Sequence, residues 1–344
     1  MAKQKQSFGV IIATRNIFNF ELAVSARKTV LEKLDKMGFG TVIIPSELTP
    51  TGNVEGYEDA KKCAKYFKEH SDQIDGIVVV LANFGDELGV VNTIQMAGLN
   101  VPVLIQACDD DNDKVDVNSR RDAFCGKLSV CNNLYQYGIK FTDTIYHTYS
   151  LDSEEFTRDM YKFAGICRVV KGMKNLRVGA IGTRPIGFHT MRASEKILQK
   201  TGITVVPVDM SEILAAATKM DEKSAAVKEK VEAIQEYGTC KILHEGQISK
   251  QARFGLAVEE WIEENDIDIS ALQCWESIEK NYGCAACVTM SMMGEKLMPS
   301  ACEVDIAGTI GMYALALASN RPSALLDWNN NFAEDRDKVV CTHC

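Results

Sequence analysis

The sequence predicts an α/β protein made of two Rossmann-like, doubly wound parallel-sheet domains, at 1–172 and 173–344. The first observation is that strand-like and helix-like segments alternate along the first half of the chain. The second is that this alternation starts again at Leu176, after a charged, glycine-containing stretch at 171–175. The third is length, because 344 residues exceed what one ordinary hydrophobic core holds.

In the first domain, short runs rich in apolar and β-branched residues predict four strands, at 8–13, 41–45, 76–81 and 101–105. Amphipathic stretches at 21–37 and 57–70 predict helices between them. This alternation favours a parallel sheet, because helical crossovers then cover its faces.

The second domain shows the same alternation, with less regular spacing. Apolar runs predict strands at 177–181, 203–206 and 324–326. Helical patterns predict helices at 190–200, 221–237 and 304–319. The segment 221–237 is charged along most of its length and is expected to face solvent.

Composition and charge exclude several classes of protein. A formal net charge of −9 disfavours nucleic-acid binding, which needs a concentrated basic face. No apolar run approaches the roughly 18 residues that a membrane-spanning helix requires, and the N-terminus has no apolar signal-peptide region. We therefore expect a cytoplasmic protein. Its twelve cysteines then predict reduced thiols, mostly buried, rather than a disulfide framework.

Three residues near the C-terminus predict a divalent-metal site. Glu303 precedes the helix predicted at 304–319, where the helix dipole favours an ionised carboxylate. Asp327 follows the strand predicted at 324–326, at the end where open α/β sheets bind ligands. With the imidazole of His343, these carboxylates suit Mn²⁺ or Mg²⁺. Taken singly, the three are better explained as a helix-start residue, a turn residue and a terminal surface histidine.

Five segments of the chain carry motifs of a known family: 182–190 (GTRPIGFHT), 274–276 (CWE), 282–292, 301–305 (ACEVD) and 326–331 (LDWNNN). Together they resemble the L-fucose isomerase and L-arabinose isomerase superfamily, and its fucose-isomerase-like branch above all. In that family a Glu and an Asp or Glu, a little over twenty residues apart, hold the catalytic metal. Glu303 and Asp327 are 24 residues apart, which fits.

The resemblance implies a metal-dependent aldose–ketose isomerase that acts on a fucose- or arabinose-like monosaccharide through an ene-diol intermediate. Glu303 and Asp327 would be both its metal ligands and its acid/base pair. His343 would be a third ligand, by its place after Asp327. The family also implies a site shared between the subunits of a homo-trimer or homo-hexamer. Neither nucleic acid nor a membrane is an expected partner.

Substrate contacts are predicted at Gln273, Trp275 and Arg184. Gln273 and Trp275 lie at the end of an apparent strand, and the indole would stack on the apolar face of a sugar. Burial of Trp275 in the core is an equal alternative.

The loop 182–187 has the outer spacing of a phosphate loop without its Lys. No G-x-G-x-x-G follows a strand, so no nucleotide cofactor is expected. Arg184 lies in this loop and His189 follows it. Both are interpreted either as ligand contacts or, with somewhat more weight, as structural residues.

Two further alternatives stay open. Family members continue past the position of His343 into a β-rich domain that supplies another metal-ligating histidine. The chain ends at Cys344, so the resemblance implies either a fragment or an incomplete, inactive site. A non-catalytic, two-lobed sugar-binding protein is the competing function.

The cysteine pairs Cys284/Cys287 and Cys341/Cys344 have the local spacing of zinc knuckles. The interval between the pairs far exceeds the 15 to 20 residues or so that are usual for a zinc ribbon, so burial is the favoured explanation. If Cys341 and Cys344 did bind zinc, His343 would not be a ligand of the catalytic metal.

Overall fold

The computed structural model describes residues 5–238 and 246–343. The chain divides into two compact units, Met1–Lys171 and Gly172–Cys344, and each unit has its own parallel β-sheet covered by helices. The predicted fold class of two doubly wound α/β domains is confirmed. None of the helices in the described ranges is long and apolar enough to cross a membrane.

The first unit has five strands: β1 (Ser7–Ala13), β2 (Gly40–Ile43), β3 (Gly76–Leu81), β4 (Val103–Ala107) and β5 (Thr142–Asp143). They form one parallel sheet in the order β2-β1-β3-β4-β5. Its helices are α1 (Glu21–Lys36), α2 (Gly56–Glu69), α3 (Glu87–Ala97), α4 (Ala123–Gln136) and α5 (Glu154–Gly172). Short 3-10 turns lie at Pro50–Gly52 and Ser71–Gln73.

Both faces of this sheet are buried, which explains why its strands are continuous apolar runs. Ile11 and Val79 pack with α2, α3 and α4 on one face, whereas Val10 and Val78 pack with α1 and α5 on the other. Successive side chains of a strand point to opposite faces, so a strand covered on both sides contains few polar residues. The sequence did not predict β5, because two residues are too short to show a hydrophobic pattern.

The second unit has a four-stranded parallel sheet and a separate hairpin. The sheet strands are β6 (Arg177–Ile181), β7 (Thr204–Val208), β8 (Ile269–Leu272) and β9 (Ser300–Cys302), in the order β7-β6-β8-β9. The helices are α6 (Glu195–Lys200), α7 (Met210–Lys219), α8 (Ala225–Tyr237), α9 (Gln247–Glu264), α10 (Ser277–Asn281), α11 (Cys287–Glu295) and α12 (Ile306–Ser319). The antiparallel hairpin consists of β10 (Asp327–Phe332) and β11 (Asp335–Thr342).

Two predicted helices of this unit begin later than expected. The helix predicted at 190–200 starts only at Glu195, after a 3-10 turn at His189–Met191. The helix predicted at 221–237 starts at Ala225, where the side chain of Ser224 accepts a hydrogen bond from a backbone amide of the first turn.

The strand predicted at 324–326 is wrong. These residues have no regular structure, and Ala324 and Leu326 are exposed. Asp327 therefore does not end a buried sheet strand; it begins β10 of the exposed hairpin. Three apolar residues bury too little hydrophobic surface to form a strand of their own. The polar segment that follows them pairs as a hairpin and determines the local structure.

Helix α12 is attached to the sheet at its N-terminus. Asp305 caps the helix, and its carboxylate accepts a hydrogen bond from the amide of Gly308 at 2.8 Å. The buried hydroxyl of Thr309 donates to the carbonyl oxygen of Ser270 in β8 at 2.7 Å. This attachment fixes the short turn between β9 and α12, which contains Glu303.

Candidate active site and metal centre

Strands β6 and β8 are neighbours at the point where the strand order of the second sheet changes direction. Their carboxyl ends bound a crevice of the kind in which open α/β sheets bind ligands. Gln273, directly after β8, joins the two loops, because its Oε1 accepts a hydrogen bond from the amide of Thr183 at 3.0 Å. A substrate contact by Gln273 would therefore use its side-chain nitrogen.

Trp275 lies on the same loop and is 47% exposed, so it is not a core residue. Its indole meets the ring of Phe188 edge to face, with ring centroids 5.1 Å apart. This contact supports the indole from the β6 loop and leaves part of its surface open to a ligand.

Arg184 is bound to its own loop. Its Nη1 donates hydrogen bonds to the carbonyl oxygens of Pro185, at 3.0 Å, and Phe188, at 2.9 Å. These bonds give Arg184 a role in shaping the loop that supports Trp275. His189 is exposed on the 3-10 turn that follows.

Glu303 lies at the carboxyl end of β9, three residues ahead of α12 rather than at the start of that helix. Its φ is +62°, and that of Val304 is +55°, a left-handed conformation that is uncommon for residues with a Cβ. The expected capping position at the helix belongs to Asp305. The left-handed turn leaves Glu303 only 7% exposed, although carboxylates are rarely buried without a partner.

Other charged groups act on the buried carboxyl of Glu303. Burial raises its pKa, the imidazole of His343 lowers it, and the carboxyls of Asp327 and Asp305 raise it. A bound cation would compensate both the lost hydration and the repulsion between the carboxyls, so the site fits a metal ion.

The β10–β11 hairpin carries Asp327 and His343, whose charges act on Glu303, although among the described residues these three side chains do not form a close metal-ligating group. Asp327, the first residue of β10, pairs with Thr342, the last residue of β11, and His343 follows immediately. The side-chain oxygen of Asn329 accepts hydrogen bonds from the amide and the hydroxyl of Thr342, at 2.6 and 2.8 Å. Asp327 is exposed, whereas His343 lines a cavity of about 340 Å³.

A pair of thiols that the sequence did not reveal as part of the site lies against Glu303. The sulfurs of Cys274 and Cys302 and a carboxylate oxygen of Glu303 all lie within 4.8 Å of one another, and all three residues are buried. The contact with Cys302 lowers the pKa of Cys274, and the contact with Cys274 raises that of Cys302. The backbone amide of Glu303 further lowers the pKa of Cys274.

The alternative of zinc knuckles receives no support from the described residues. Cys284 is half-buried and Cys287 and Cys341 are exposed, whereas Cys344 lies outside the described residues. In the described part of the chain, the one group of three close metal-ligating side chains is Cys274, Cys302 and Glu303. Five of the ten cysteines described are buried, so burial accounts for half of them.

The fold and site define a two-domain α/β protein with carboxylates and an imidazole at the carboxyl edge of a parallel sheet. Residues 9–174 match the sequence profile of the fucose/sulfoquinovose isomerase N-terminal domain. The sulfoquinovose isomerase of Priestia aryabhattai is 24% identical over 332 residues, which cover 96% of this chain and 70% of that protein. These matches bear out the resemblance of the chain to the fucose-isomerase-like family.

Two further relatives match shorter stretches. The sulfoquinovose isomerase of Alkalicoccus urumqiensis is 30% identical over 176 residues, covering 51% of this chain and 39% of that protein. The sulfoquinovose isomerase of Clostridium sp. (strain MSTE9) is 24% identical over 229 residues, covering 65% of this chain and 50% of that protein. A crystallised periplasmic solute-binding protein from Actinobacillus succinogenes 130z with bound D-allose aligns over 93% of this chain and 94% of its own, at 11% identity. Its TM-score of 0.23 is too low to indicate a shared fold.

Proposed function

We propose that the chain is a metal-dependent aldose–ketose isomerase whose reaction passes through an ene-diol. The observation that carries this proposal is the buried Glu303 carboxyl, on which the charges of His343 and Asp327 act. Similarity to sulfoquinovose isomerases supports sugar isomerisation as the reaction. Sulfoquinovose is the first substrate to assay, because the similar proteins are sulfoquinovose isomerases. Fucose and arabinose, the sugars expected from the sequence, are the next.

Glu303, Asp327 and His343 would hold the metal ion. Two carboxylates and one imidazole are ligands that suit a hard or borderline ion such as Mn²⁺ or Mg²⁺. When bound, the ion would polarise the carbonyl and hydroxyl oxygens of the open-chain sugar.

The contribution of the chain's own residues is to move a proton between two adjacent carbons. One carboxylate of the Glu303–Asp327 pair removes the proton from C2 of the aldose, and the electron pair of that bond forms the C1–C2 double bond. A carboxyl of the pair then returns a proton to C1, while the hydroxyl proton of O2 passes to O1. The product is the ketose, and no atom or electron is gained or lost.

Trp275 and Gln273 are placed to orient the sugar. The exposed indole offers an apolar surface for the C–H face of the ring or open chain, and the Gln273 nitrogen offers a donor for a hydroxyl. Arg184 would contribute by holding the loop that carries Phe188, through its hydrogen bond to the Phe188 carbonyl oxygen. Orientation matters because a misplacement of about 1 Å can cost on the order of a hundredfold in rate.

A homo-trimer or homo-hexamer with shared sites is the proposed assembly, and sedimentation velocity would identify it.

The function itself is tested with Glu303→Gln and Asp327→Asn, which remove a charge at nearly constant size. Each should lower Mn²⁺ occupancy and reduce ketose formation by at least about a hundredfold, the scale of general acid–base catalysis. Asp337→Asn is the matched control, because Asp337 is an exposed carboxylate on the same hairpin. Full metal occupancy and rate in either site variant would reject the proposal.

A further inference from the structure

In the thiol pair, Cys274 follows strand β8 of the second sheet and Cys302 ends the neighbouring strand β9. Leu272 of β8 is in register with Cys302 of β9, so Cys274 lies just beyond the strand end beside Cys302. Both are buried, at 6% and 7% exposure, in one hydrophobic cluster. Core packing explains two small apolar side chains there, but it does not explain why a buried carboxylate shares their position.

The spacing of the three side chains fits a tetrahedral thiophilic ion. Zinc binds thiolate sulfur at about 2.3 Å and carboxylate oxygen at about 2.0 to 2.2 Å, so ligand atoms around it are roughly 3.5 to 3.8 Å apart. The sulfurs of Cys274 and Cys302 and the Glu303 oxygen already lie within 4.8 Å of one another. Shifts of about an ångström or less at each side chain would therefore close the site around one ion.

The surroundings supply what a fourth ligand needs. Cys302 and His343 both line the cavity of about 340 Å³, which has room for a water molecule. The charge of His343 also acts on Glu303, and its side chain borders the same cavity, which makes the imidazole the alternative to water as the fourth ligand.

We propose that Cys274, Cys302 and Glu303 form a second metal site that binds Zn²⁺, with water or His343 as the fourth ligand. On binding, each thiol releases its proton to solvent and no electrons are transferred. Sulfur ligands prefer zinc, whereas the carboxylate and imidazole set prefers harder ions. Because Glu303 belongs to both sets, Zn²⁺ and Mn²⁺ exclude each other, and this last step rests on the proposed function.

The test uses the full chain, reduced and free of metal, titrated with Co²⁺ as a spectroscopic substitute for Zn²⁺. The expected result is one Co²⁺ per chain with thiolate-to-metal charge-transfer absorption in the near ultraviolet, abolished by one equivalent of Zn²⁺. Cys274→Ser and Cys302→Ser should lose this absorption and weaken Zn²⁺ binding by at least about a hundredfold. Cys284→Ser is the matched control, because Cys284 packs against the same cluster without belonging to the group.

A second measurement needs no substitution and so does not depend on whether the variants fold. Zn²⁺ should slow alkylation of Cys274 and Cys302 in the unmodified protein, and should leave Cys125, which is exposed on α4, unaffected. Unchanged alkylation of the pair at saturating Zn²⁺, or charge transfer that survives in both serine variants, would overturn the proposal.

Zinc binding is measured without sugar, so a protein that fails to isomerise any aldose still gives a result. The magnetic resonance signal of free Mn²⁺ would report whether Zn²⁺ displaces bound Mn²⁺. This measurement tests whether the two ions share Glu303 as a ligand. Zinc binding with retained Mn²⁺ would overturn the exclusion, whereas an absent Mn²⁺ site with intact zinc binding would reject only the proposed function.

Discussion

Asp327 and Thr342 pair across the open end of the β10–β11 hairpin. This pairing places His343, the next residue, beside the first residue of β10, and the charges of Asp327 and His343 both act on Glu303. Two of the three proposed ligands therefore lie on a single hairpin. The geometry of the proposed metal centre then depends on how firmly that end of the hairpin is closed.

Asn329 closes the hairpin end and should influence the metal without touching it. Its Oδ1 accepts two hydrogen bonds from Thr342, and Asn329→Ala removes both. We expect Mn²⁺ affinity to fall roughly three- to tenfold, which corresponds to about 1 kcal/mol. Calorimetric titration would measure it. Asn331→Ala is the control, since Asn331 is exposed on the same strand, and an equal loss in both variants would contradict a positioning role.

Glu303→Gln should make the metal-free protein more stable at neutral pH. Burial raises the pKa of Glu303 in the folded state above its unfolded value. The folded state then holds the proton more tightly, so stability falls as pH rises from the unfolded pKa through the folded pKa. At a pH above both pKa values, the wild type carries the full free-energy cost of burying an ionised carboxylate. The neutral amide of Glu303→Gln does not carry this cost.

The measurement is urea unfolding of wild type and Glu303→Gln at pH 4 and pH 7 without metal. The gain should be larger at pH 7 and on the order of 1 kcal/mol, a usual size for one substitution. Saturating Mn²⁺ should reverse the order, because only the wild type binds it tightly. A variant less stable than wild type at pH 7 without metal would show that the carboxylate has a partner that stabilises it.

Asp305→Ala should destabilise the second unit by about 1 kcal/mol, because it removes the N-cap of α12. Asp305→Ser should retain most of that stability, since a serine hydroxyl can accept the same amide hydrogen bond. Urea unfolding of the three proteins gives the comparison. Equal losses for alanine and serine would mean that the charge of Asp305, and not its cap, is what stabilises the helix.

The sequence predicted the first sheet well because the physical signal there is strong. Strands buried on both faces must be apolar at every position, and the segment 76–81 was therefore recognisable as β3 without any knowledge of its neighbours. The hairpin gave no such signal. The residues of β10 are exposed throughout, so neither a continuous apolar run nor an apolar alternation marks it.

The candidate site was only partly predictable for a related reason. Glu303 and Asp327 were proposed from family motifs, but the local structure assigned to Asp327 was wrong, because its exposed strand is defined by pairing with β11 and not by an apolar pattern. The thiol pair was not predicted at all. Its proximity follows from the register of β8 and β9, which is a property of tertiary structure rather than of either segment.

Trp275→Ala should raise the KM for the sugar about tenfold and change kcat much less. An indole that stacks on the substrate in both the ground state and the transition state contributes uniform binding, which appears in KM. Loss of one aromatic contact costs roughly 0.5 to 1.5 kcal/mol, or up to about tenfold in affinity. Trp275→Phe should give an intermediate KM, since a smaller ring can still meet Phe188.

Steady-state kinetics on sulfoquinovose, fucose and arabinose would measure the effect of Trp275→Ala. Tyr135→Ala is the control, because Tyr135 is 79% exposed on α4 and has no predicted substrate contact. Trp275 is itself 47% exposed, so its removal leaves no large cavity, and the melting temperature should stay close to that of the wild type. An unchanged KM for a sugar that the wild type isomerises would show that the indole does not contact the substrate. A lower kcat at constant KM would instead place Trp275 in contact with the reacting atoms, because only interactions specific to the transition state act on kcat alone.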